Sequence, residues 1–486
     1  MTAAETRAVE ARAIAAGLSG KAMMEAAGAT VASFIMRTMS PRPVAILCGP
    51  GNNGGDGFVV ARTLDEAGWP VRLGLLGDRA ALNGDAALMA SLYARAIESL
   101  SPEIVEGAGL IVDALFGTGL SRPLEGAARE VIVAANAHPA PAIAIDLPSG
   151  VNADTGAILG VAIEASASVT FITKKPGHLL YPGRALAGAV HVADIGIPAE
   201  HFAAIEAETF ENDPALFMAA WPRLTWESHK YTRGHAAVVS GPRLRTGAAR
   251  LAALAALRAG AGAVTVLSPS GAADENAAHL TSVMVREADH ADAIAAFLID
   301  PRINAAAIGP GSGIGAATKA NVSAILRSKT GAVLDADALT SFESEPSALF
   351  SMLRRNDVLT PHFGEFARLF PAEAASGERL EAARAAARRA GAVIVLKGAD
   401  TVIAAPDGRA AINANAPFDL ATAGSGDVLT GFIAGRRAAG MDGFEAALAG
   451  VYLHGACGEI AGVGLIADDL VDLAPPAIAA FFARAQ

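Results

Sequence analysis

The sequence predicts two successive α/β domains, each built on a mainly parallel sheet. Three observations carry this. A chain of 486 residues exceeds one ordinary domain. Short apolar runs alternate with alanine-rich segments of helical period, and the runs end in an aspartate or a glycine-rich turn. The alternation weakens over residues 205–228, around Asn212-Asp213-Pro214 and Trp221-Pro222, and resumes without repeating the first half. Domains are therefore expected over 1–212 and 225–486.

Residues 1–40 read as helical. Val44–Cys48 reads as a buried strand, followed by a glycine-rich turn, a helix from about Phe58 to Ala67 and a strand Val71–Leu76, which together make one βαβ unit. Leu110–Asp113 and Ala142–Asp146 are further buried strands, each ending in an aspartate and entering a glycine-containing loop. Val169–Ile172 is another, ahead of Lys174 and Lys175. After Lys230 come strand His235–Val239, helix Gly247–Ala259 and strand Ala263–Leu267. Ala305–Ile308 leads into Gly309-Pro310-Gly311-Ser312-Gly313, Val333–Asp335 and Val393–Lys397 are later strands, and a long helix follows Gly426. Parallel sheets take ligands beyond the carboxyl ends of their strands, and the polar, glycine-rich segments of both halves fall there.

A net charge of −11 argues against a nucleic-acid groove or an acidic membrane surface. An anionic substrate must then be held by helix N-termini, bound cations and a few lysines or arginines. The mean hydropathy of +0.38 comes largely from alanine. Apolar stretches break well before the roughly 18 residues of a spanning helix, so no membrane partner is expected. The N-terminus lacks a secretory pattern, and two distant cysteines, Cys48 and Cys457, fit a reducing, cytoplasmic compartment. Both read as buried thiols, and His454 with Cys457 reads as core rather than as a metal pair. Alanine-rich helical surfaces permit self-association, and a homo-oligomer is expected.

The run from Gly49 to Gly57 joins a strand to a helix. Its glycines permit positive φ and let backbone amides approach a ligand closely, with the helix start favouring an anion. As a bare G-x-G-x-x-G it fits an ordinary tight turn equally well; the Asn-Asn-Gly-Gly-Asp core points to a ligand. Asp113 and Asp146 taken singly read as helix caps. Together with asparagine and serine oxygens they form a hard-donor set suited to an alkali or alkaline-earth cation, which offsets charge beside a phosphate. In the second half, Gly424 to Asp427 open a helix whose amides form an anion hole for a transferring phosphoryl group, with Asp427 placed on a substrate hydroxyl. Lys397-Gly398-Ala399-Asp400-Thr401 follows a strand and suits a nucleotide phosphate, while Pro361 and Gly364 constrain the turn that carries His362.

GNNGGDG, DALFGTGL, DLPSGVNADTG and TFITKKPG, in this order, resemble the NAD(P)H-hydrate epimerase domain over roughly residues 1–210. The resemblance implies a Rossmann-like three-layer domain that interconverts the R and S epimers of hydrated NADH and NADPH (NADHX and NADPHX). It implies substrate contacts at Asn52, Asn53, Gly54, Gly55 and Asp56, and at Gly117, Thr118, Gly119, Leu120, Ser121, Arg122 and Pro123. It places a potassium ion on Asn53, Asp113 and Ser149, and substrate on Asp146, the first choice for the acid/base residue. Epimerising a hemiaminal carbon requires a hydroxyl protonated as it leaves and a water deprotonated as it returns, and one carboxyl that cycles between states can serve both. Lys174 is a weaker candidate.

RGHAAVVSG, IGPGSG, VLDADAL, LTPHFGEFARL, VIVLKGADTVIA and GSGDVLTG resemble the ADP- or ATP-dependent NAD(P)H-hydrate dehydratase domain, of ribokinase-like α/β fold, over roughly residues 225–486. This implies that a nucleotide, with Mg2+, phosphorylates the hydrate hydroxyl and that elimination regenerates NAD(P)H. Asp427 would be the base; Lys397, Gly398, Ala399, Asp400, Thr401 and Gly426 would hold the nucleotide; Ala248, Gly313 and His362 would contact the hydrate. Lys230 is a further phosphate candidate. The pattern departs at Ser425, where threonine is usual, and at Ser312, where an apolar residue is common. The rival reading is a ribokinase-like small-molecule kinase fused to a non-catalytic dinucleotide-binding module, which the joint presence of Asn53, Asp113, Asp146 and Ser149 disfavours. A dehydrogenase fits poorly, because no hydride-acceptor site is visible.

Overall fold

In a computed structural model of the chain, which describes residues 1–203 and 205–484, two units divide between Thr209 and Phe210. The first holds seven strands: β1 (Val44–Cys48), β2 (Val71–Leu75), β3 (Glu98–Ser99), β4 (Leu110–Ala114), β5 (Ala142–Ile145), β6 (Ala167–Phe171) and β7 (Ala189–Ala193). They form one parallel sheet in the order β3-β2-β1-β4-β5-β6-β7. Period-two side chains make it the middle of three layers. Val44, Ile46 and Cys48 of β1 enter a core with Phe58, Leu64 and Met89, while Ala45 and Leu47 enter one with Val131 and Ile132 on the other face. The order reverses between β1 and β4, which is where an open sheet of this Rossmann-like kind leaves a ligand crevice.

One expectation fails here. The helix after β1 spans Asn52–Glu66 rather than starting near Phe58, so the glycine-rich run is its first turns. The glycines of that run do not have positive φ. They make space instead. A Cβ on Gly54 would fall 1.9 Å from the Gly49 oxygen, and one on Gly57 would fall 2.6 Å from Ala114 Cβ and 2.7 Å from Cys48 Sγ. The helix start is thereby pressed onto the ends of β1 and β4.

The second sheet is built from β8 (Thr209–Glu211), which begins at the division, β9 (His235–Val239), β10 (Ala263–Ser268), β11 (Met284–Glu287), β12 (Ile303–Ile308), β13 (Gly331–Leu334), β14 (Val358–Leu359), β15 (Val393–Leu396), β16 (Val402–Ala404) and β17 (Ala410–Ile412). The order is β11-β10-β9-β12-β13-β14-β15-β16-β17-β8, parallel from β11 to β15 and antiparallel from β15 to β17. The segment read as a boundary carries Phe217 and Trp221 into the second unit's core. Alanine and glycine let two central helices, Gly247–Arg258 and Ser425–Ala438, meet backbone to backbone. A Cβ on Gly431 would stand 2.2 Å from the Ala252 oxygen, and one on Gly435 would stand 2.3 Å from the Ala256 oxygen.

Two candidate active sites at the strand ends

In the first unit, β4, β5 and β6 deliver their polar ends to one place. Asp146 follows β5 in the left-handed region, φ 67°, a conformation that strains any residue but glycine and clusters at functional sites. Its Oδ1 accepts from Lys175 Nζ at 2.7 Å and Thr170 Oγ1 at 2.8 Å; its Oδ2 accepts from the Thr118 amide at 3.2 Å. Lys175 is buried and also donates to Thr170 Oγ1 and the Phe171 oxygen. His178 Nδ1 accepts from the Lys175 amide, so its Nε2 carries the proton toward the Asp146 oxygen at 2.8 Å. Burial holds this imidazole neutral, down to about 4.

Burial raises the Asp146 carboxyl, but the Lys175 ammonium and the hydrogen bonds from Lys175 and Thr170 outweigh it, and the group lies below its ordinary range. Asp56 goes the opposite way: burial first, then the charges of Asp146 and Glu10, push it well above that range. Two carboxyls within electrostatic reach are thus driven in opposite directions, Asp146 toward the ionised form and Asp56 toward the protonated one. Gly117 closes the cradle. A Cβ there would lie 2.8 Å from Asp146 Oδ2 and 3.3 Å from Asn53 Oδ1. The Asn53 amide nitrogen is buried without a hydrogen-bond partner among the described residues. The loop from Gly117 to Pro123 runs beside this cradle, with Gly119, Ser121, Arg122 and Pro123 exposed and Leu120 buried.

Asp113 and Ser149 lie just behind. Asp113 accepts from the Ser149 hydroxyl at 2.6 Å, the Ser149 amide at 2.7 Å and the Leu115 amide at 3.2 Å. The Ser149 hydroxyl takes the Phe116 amide at 2.8 Å. Burial pushes Asp113 up to about 6 against these bonds, because no basic side chain faces it among the described residues. A fully buried carboxylate with neighbouring hydroxyl, amide and carbonyl oxygens fits a large, hard monovalent cation.

In the second unit, Gly424, φ 87°, opens the helix Ser425–Ala438. Lys397, at the end of β15, sits over that opening. Its Nζ is 3.6 Å from where a Gly426 Cβ would stand and donates to Asp335 Oδ1 at 2.7 Å. Thr430 Oγ1 holds the other Asp335 oxygen at 2.8 Å. Burial and the Asp335 charge lift Asp427 to about 6, with Lys397 pulling the other way. A cavity of about 390 Å³ adjoins this point, lined among others by His362, Lys397, Asn413, Gly426 and His454. Ala248, in the first turn of helix Gly247–Arg258, lies by the loop after β12, where Gly313 has φ 83° and donates to Asp337 Oδ2 at 2.8 Å.

The candidates divide. Asn52 to Asp56, Gly117 to Pro123, Asp113, Asp146 and Ser149 share one mouth; Ala248, Gly313, His362, Lys397 to Thr401, Gly426 and Asp427 belong to strand ends of the other unit. Within these, Asp400 is buried and its carboxylate is held by Arg379 at 3.0 Å, so the loop it sits on offers Lys397 and backbone. His362 caps its own helix, its Nδ1 accepting from the Gly364 amide at 2.9 Å. Lys230 precedes the amino end of β9, its oxygen 1.9 Å from where a Gly262 Cβ would stand, and so lies at the opposite end of the strands from the mouth. The lysine engaged with Asp146 is Lys175, beside the one that sequence reasoning weighed. Asp335 was read as a strand end and given no role, although it ends its strand as Asp113 and Asp146 do.

A family model described as NAD(P)H-hydrate dehydratase matches residues 236–471, and one described as YjeF-related protein N-terminus matches residues 20–177. A Moorella thermoacetica protein named bifunctional NAD(P)H-hydrate repair enzyme Nnr is 40% identical over 93% of this chain and 91% of its own. The Escherichia coli protein of that name is 37% identical over 87% of this chain and 83% of its own. The solved structure of a ribokinase-like superfamily protein from Enterococcus faecalis, 22% identical, covers 57% of this chain and 98% of its own with a TM-score of 0.51, a likeness of fold.

Proposed function

This chain belongs to the family of bifunctional NAD(P)H-hydrate repair enzymes, and from that premise we propose how its two mouths divide the work. The first unit epimerises the R and S hydrates of NADH and NADPH, and the second dehydrates the S hydrate at the expense of ADP or ATP. The observation that carries the reading is one acidic group at each glycine-lined mouth, shifted in opposite directions: Asp146 held ionised by Lys175, and Asp427 lifted to about 6 by burial and the Asp335 charge.

In the first mouth the hydrate is held by the loop Gly117–Pro123 and the helix start at Asn52. Asp56, protonated, supplies the proton with which the hydroxyl leaves as water; the ring nitrogen stabilises the cation left at the carbon. Asp146 Oδ2 then takes a proton from water arriving on the other face. Lys175 positions Asp146 and keeps it a base. This shares between two carboxyls the task that one cycling carboxyl would otherwise perform. A potassium ion would be held by Asn53, Asp113 and Ser149, where it supplies the positive charge that Asp113 lacks and offsets the substrate's pyrophosphate.

In the second mouth Asp427 accepts the proton of the hydrate hydroxyl as its oxygen bonds the terminal phosphorus, and the bond to the departing nucleotide breaks. Lys397 and the amides of Gly424 to Gly426 take up the charge on the transferring group. The ring nitrogen then expels phosphate, a better leaving group than hydroxide, and loss of the neighbouring carbon's proton restores the reduced nicotinamide. Magnesium bound with the nucleotide would neutralise part of the charge on its phosphates. Chemically hydrated NADH, incubated with the protein and ADP or ATP, should regain the full near-ultraviolet absorbance of NADH and release free phosphate. A stable phosphorylated product would support the kinase reading instead.

A further inference from the structure

The second unit holds another pocket, of about 690 Å³, at the opposite end of its sheet from the mouth. Four arginines line it, Arg223, Arg233, Arg258 and Arg436, together with Trp221 and Phe482. In a chain of net charge −11 this concentration of positive charge is unusual. The exposed Arg258 faces Asp472 at 3.4 Å.

Arg436 is the informative residue. It is 4% exposed, yet makes no hydrogen bond or ion pair among the described residues, and its Nε is buried without a partner. Its guanidinium lies 4.0 Å from the centre of the Trp221 ring. Gly260, φ 121°, leaves room for it: a Cβ there would stand 1.5 Å from Arg436 Nη2. Burial and the nearby Arg233 push the group down to about 9, so it is charged at neutral pH without an anion to face. A buried, unpaired charge is strongly destabilising, and stacking on one aromatic face recovers only part of that. Guanidinium forks match phosphate and carboxylate oxygens, while Trp221, Phe482 and neighbouring aliphatic side chains offer an apolar wall.

We propose that this pocket binds a small organic anion, a phosphate or carboxylate on a flat apolar body, at a place separate from the catalytic mouth of the same unit. Arg436 and Arg233 take the anion and the Trp221–Phe482 wall takes the body. The pocket's volume falls in the range of small-molecule sites.

The test uses the full chain carrying Trp69→Phe and Trp226→Phe, which leaves Trp221 as its single tryptophan. Phenyl phosphate is titrated while Trp221 emission is followed, with inorganic phosphate as the arm lacking an apolar body. The expected result is a saturable change, at least tenfold weaker for inorganic phosphate, and at least tenfold weaker for phenyl phosphate in both Arg436→Met and Arg233→Gln. Without ligand, Arg436→Met should melt no lower than its parent, since it removes an unpaired buried charge. An unresponsive Trp221, undiminished binding in the variants, or a folded Arg436→Met that melts clearly lower would overturn the proposal. If Arg436→Met does not fold, Arg233→Gln decides by the same binding criterion.

Discussion

Replacing Lys175 by methionine separates an organised base from a merely acidic pocket. The side chain keeps its length and loses its ammonium. Asp146 Oδ1 then retains the Thr170 hydroxyl, and Oδ2 the Thr118 amide. Breaking a buried pair by removing one partner leaves an uncompensated charge and costs about 3–5 kcal/mol. Asp146 can escape part of this by keeping a proton, so the loss has a pH signature. In the wild type Asp146 lies below its ordinary 3.8, and its contribution to stability is present above that value and lost as pH falls through the depressed one. In Lys175→Met its pKa is raised, so the penalty grows as pH rises above 3.8 and levels off once the group ionises. Denaturant unfolding of the first unit at several pH values should find the difference from wild type largest near neutrality and small near pH 4. Epimerisation should fall with it, and shift its acid limb upward. A variant equally stable at all pH values and fully able to epimerise would refute the assignment of Lys175 and the account of Asp146 as a base.

Other consequences follow from the same geometry. Asp427→Asn should lower dehydration by about 10²–10⁴-fold, the usual worth of a positioned base. The wild-type rate should decline as pH falls through about 6, where the base becomes protonated, and a pH–rate profile checks both statements. Asp113 sits at about 6, above its ordinary 3.8, so the native state loses stability as pH rises between those values. Potassium, compared with tetramethylammonium, should raise the melting temperature of the first unit above pH 6, do little below pH 4, and do nothing in Asp113→Asn. Gly435→Ala should destabilise the second unit by about 1–3 kcal/mol, because its Cβ would meet the Ala256 backbone oxygen at 2.3 Å. Gly271→Ala, in a helix with open space around it, should instead be neutral or stabilise by about 0.4–1 kcal/mol in the same calorimetric scan.

Much of this architecture is written locally in the chain. Val44–Cys48 and Ala236–Val239 are continuous apolar runs because both faces of each sheet are covered, and a run of that kind bounded by turns is legible without tertiary information. The short strands Glu98–Ser99 and Val358–Leu359 are not, since two residues carry no period and are defined by their neighbours. The start of the helix at Asn52 was obscured for a related reason. Its glycines disfavour a helix on propensity, and what holds them there is the nearness of Cys48, Gly49 and Ala114, which lies outside the local sequence. Asp113 and Asp146 could be found because each ends a readable strand at the sheet's ligand side. Lys175 could not be told from Lys174, because both sit in a loop where no periodicity says which side chain turns inward. Arg436 and Arg437 are adjacent, chemically identical side chains in the last turn of the helix Ser425–Ala438, and burial against Trp221 distinguishes the first.

The most direct measurement resolves the two epimers of hydrated NADH by chromatography over time, in the presence of ATP, for the wild type and two variants. The wild type should consume both. Asp427→Asn should return NADH about 10²–10⁴-fold more slowly while still carrying R into S and S into R. Asp146→Asn should consume S rapidly and R only as fast as it epimerises unaided. Return of NADH by Asp427→Asn at the wild-type rate, or equally rapid loss of both epimers in Asp146→Asn, would contradict the division of labour between the two mouths.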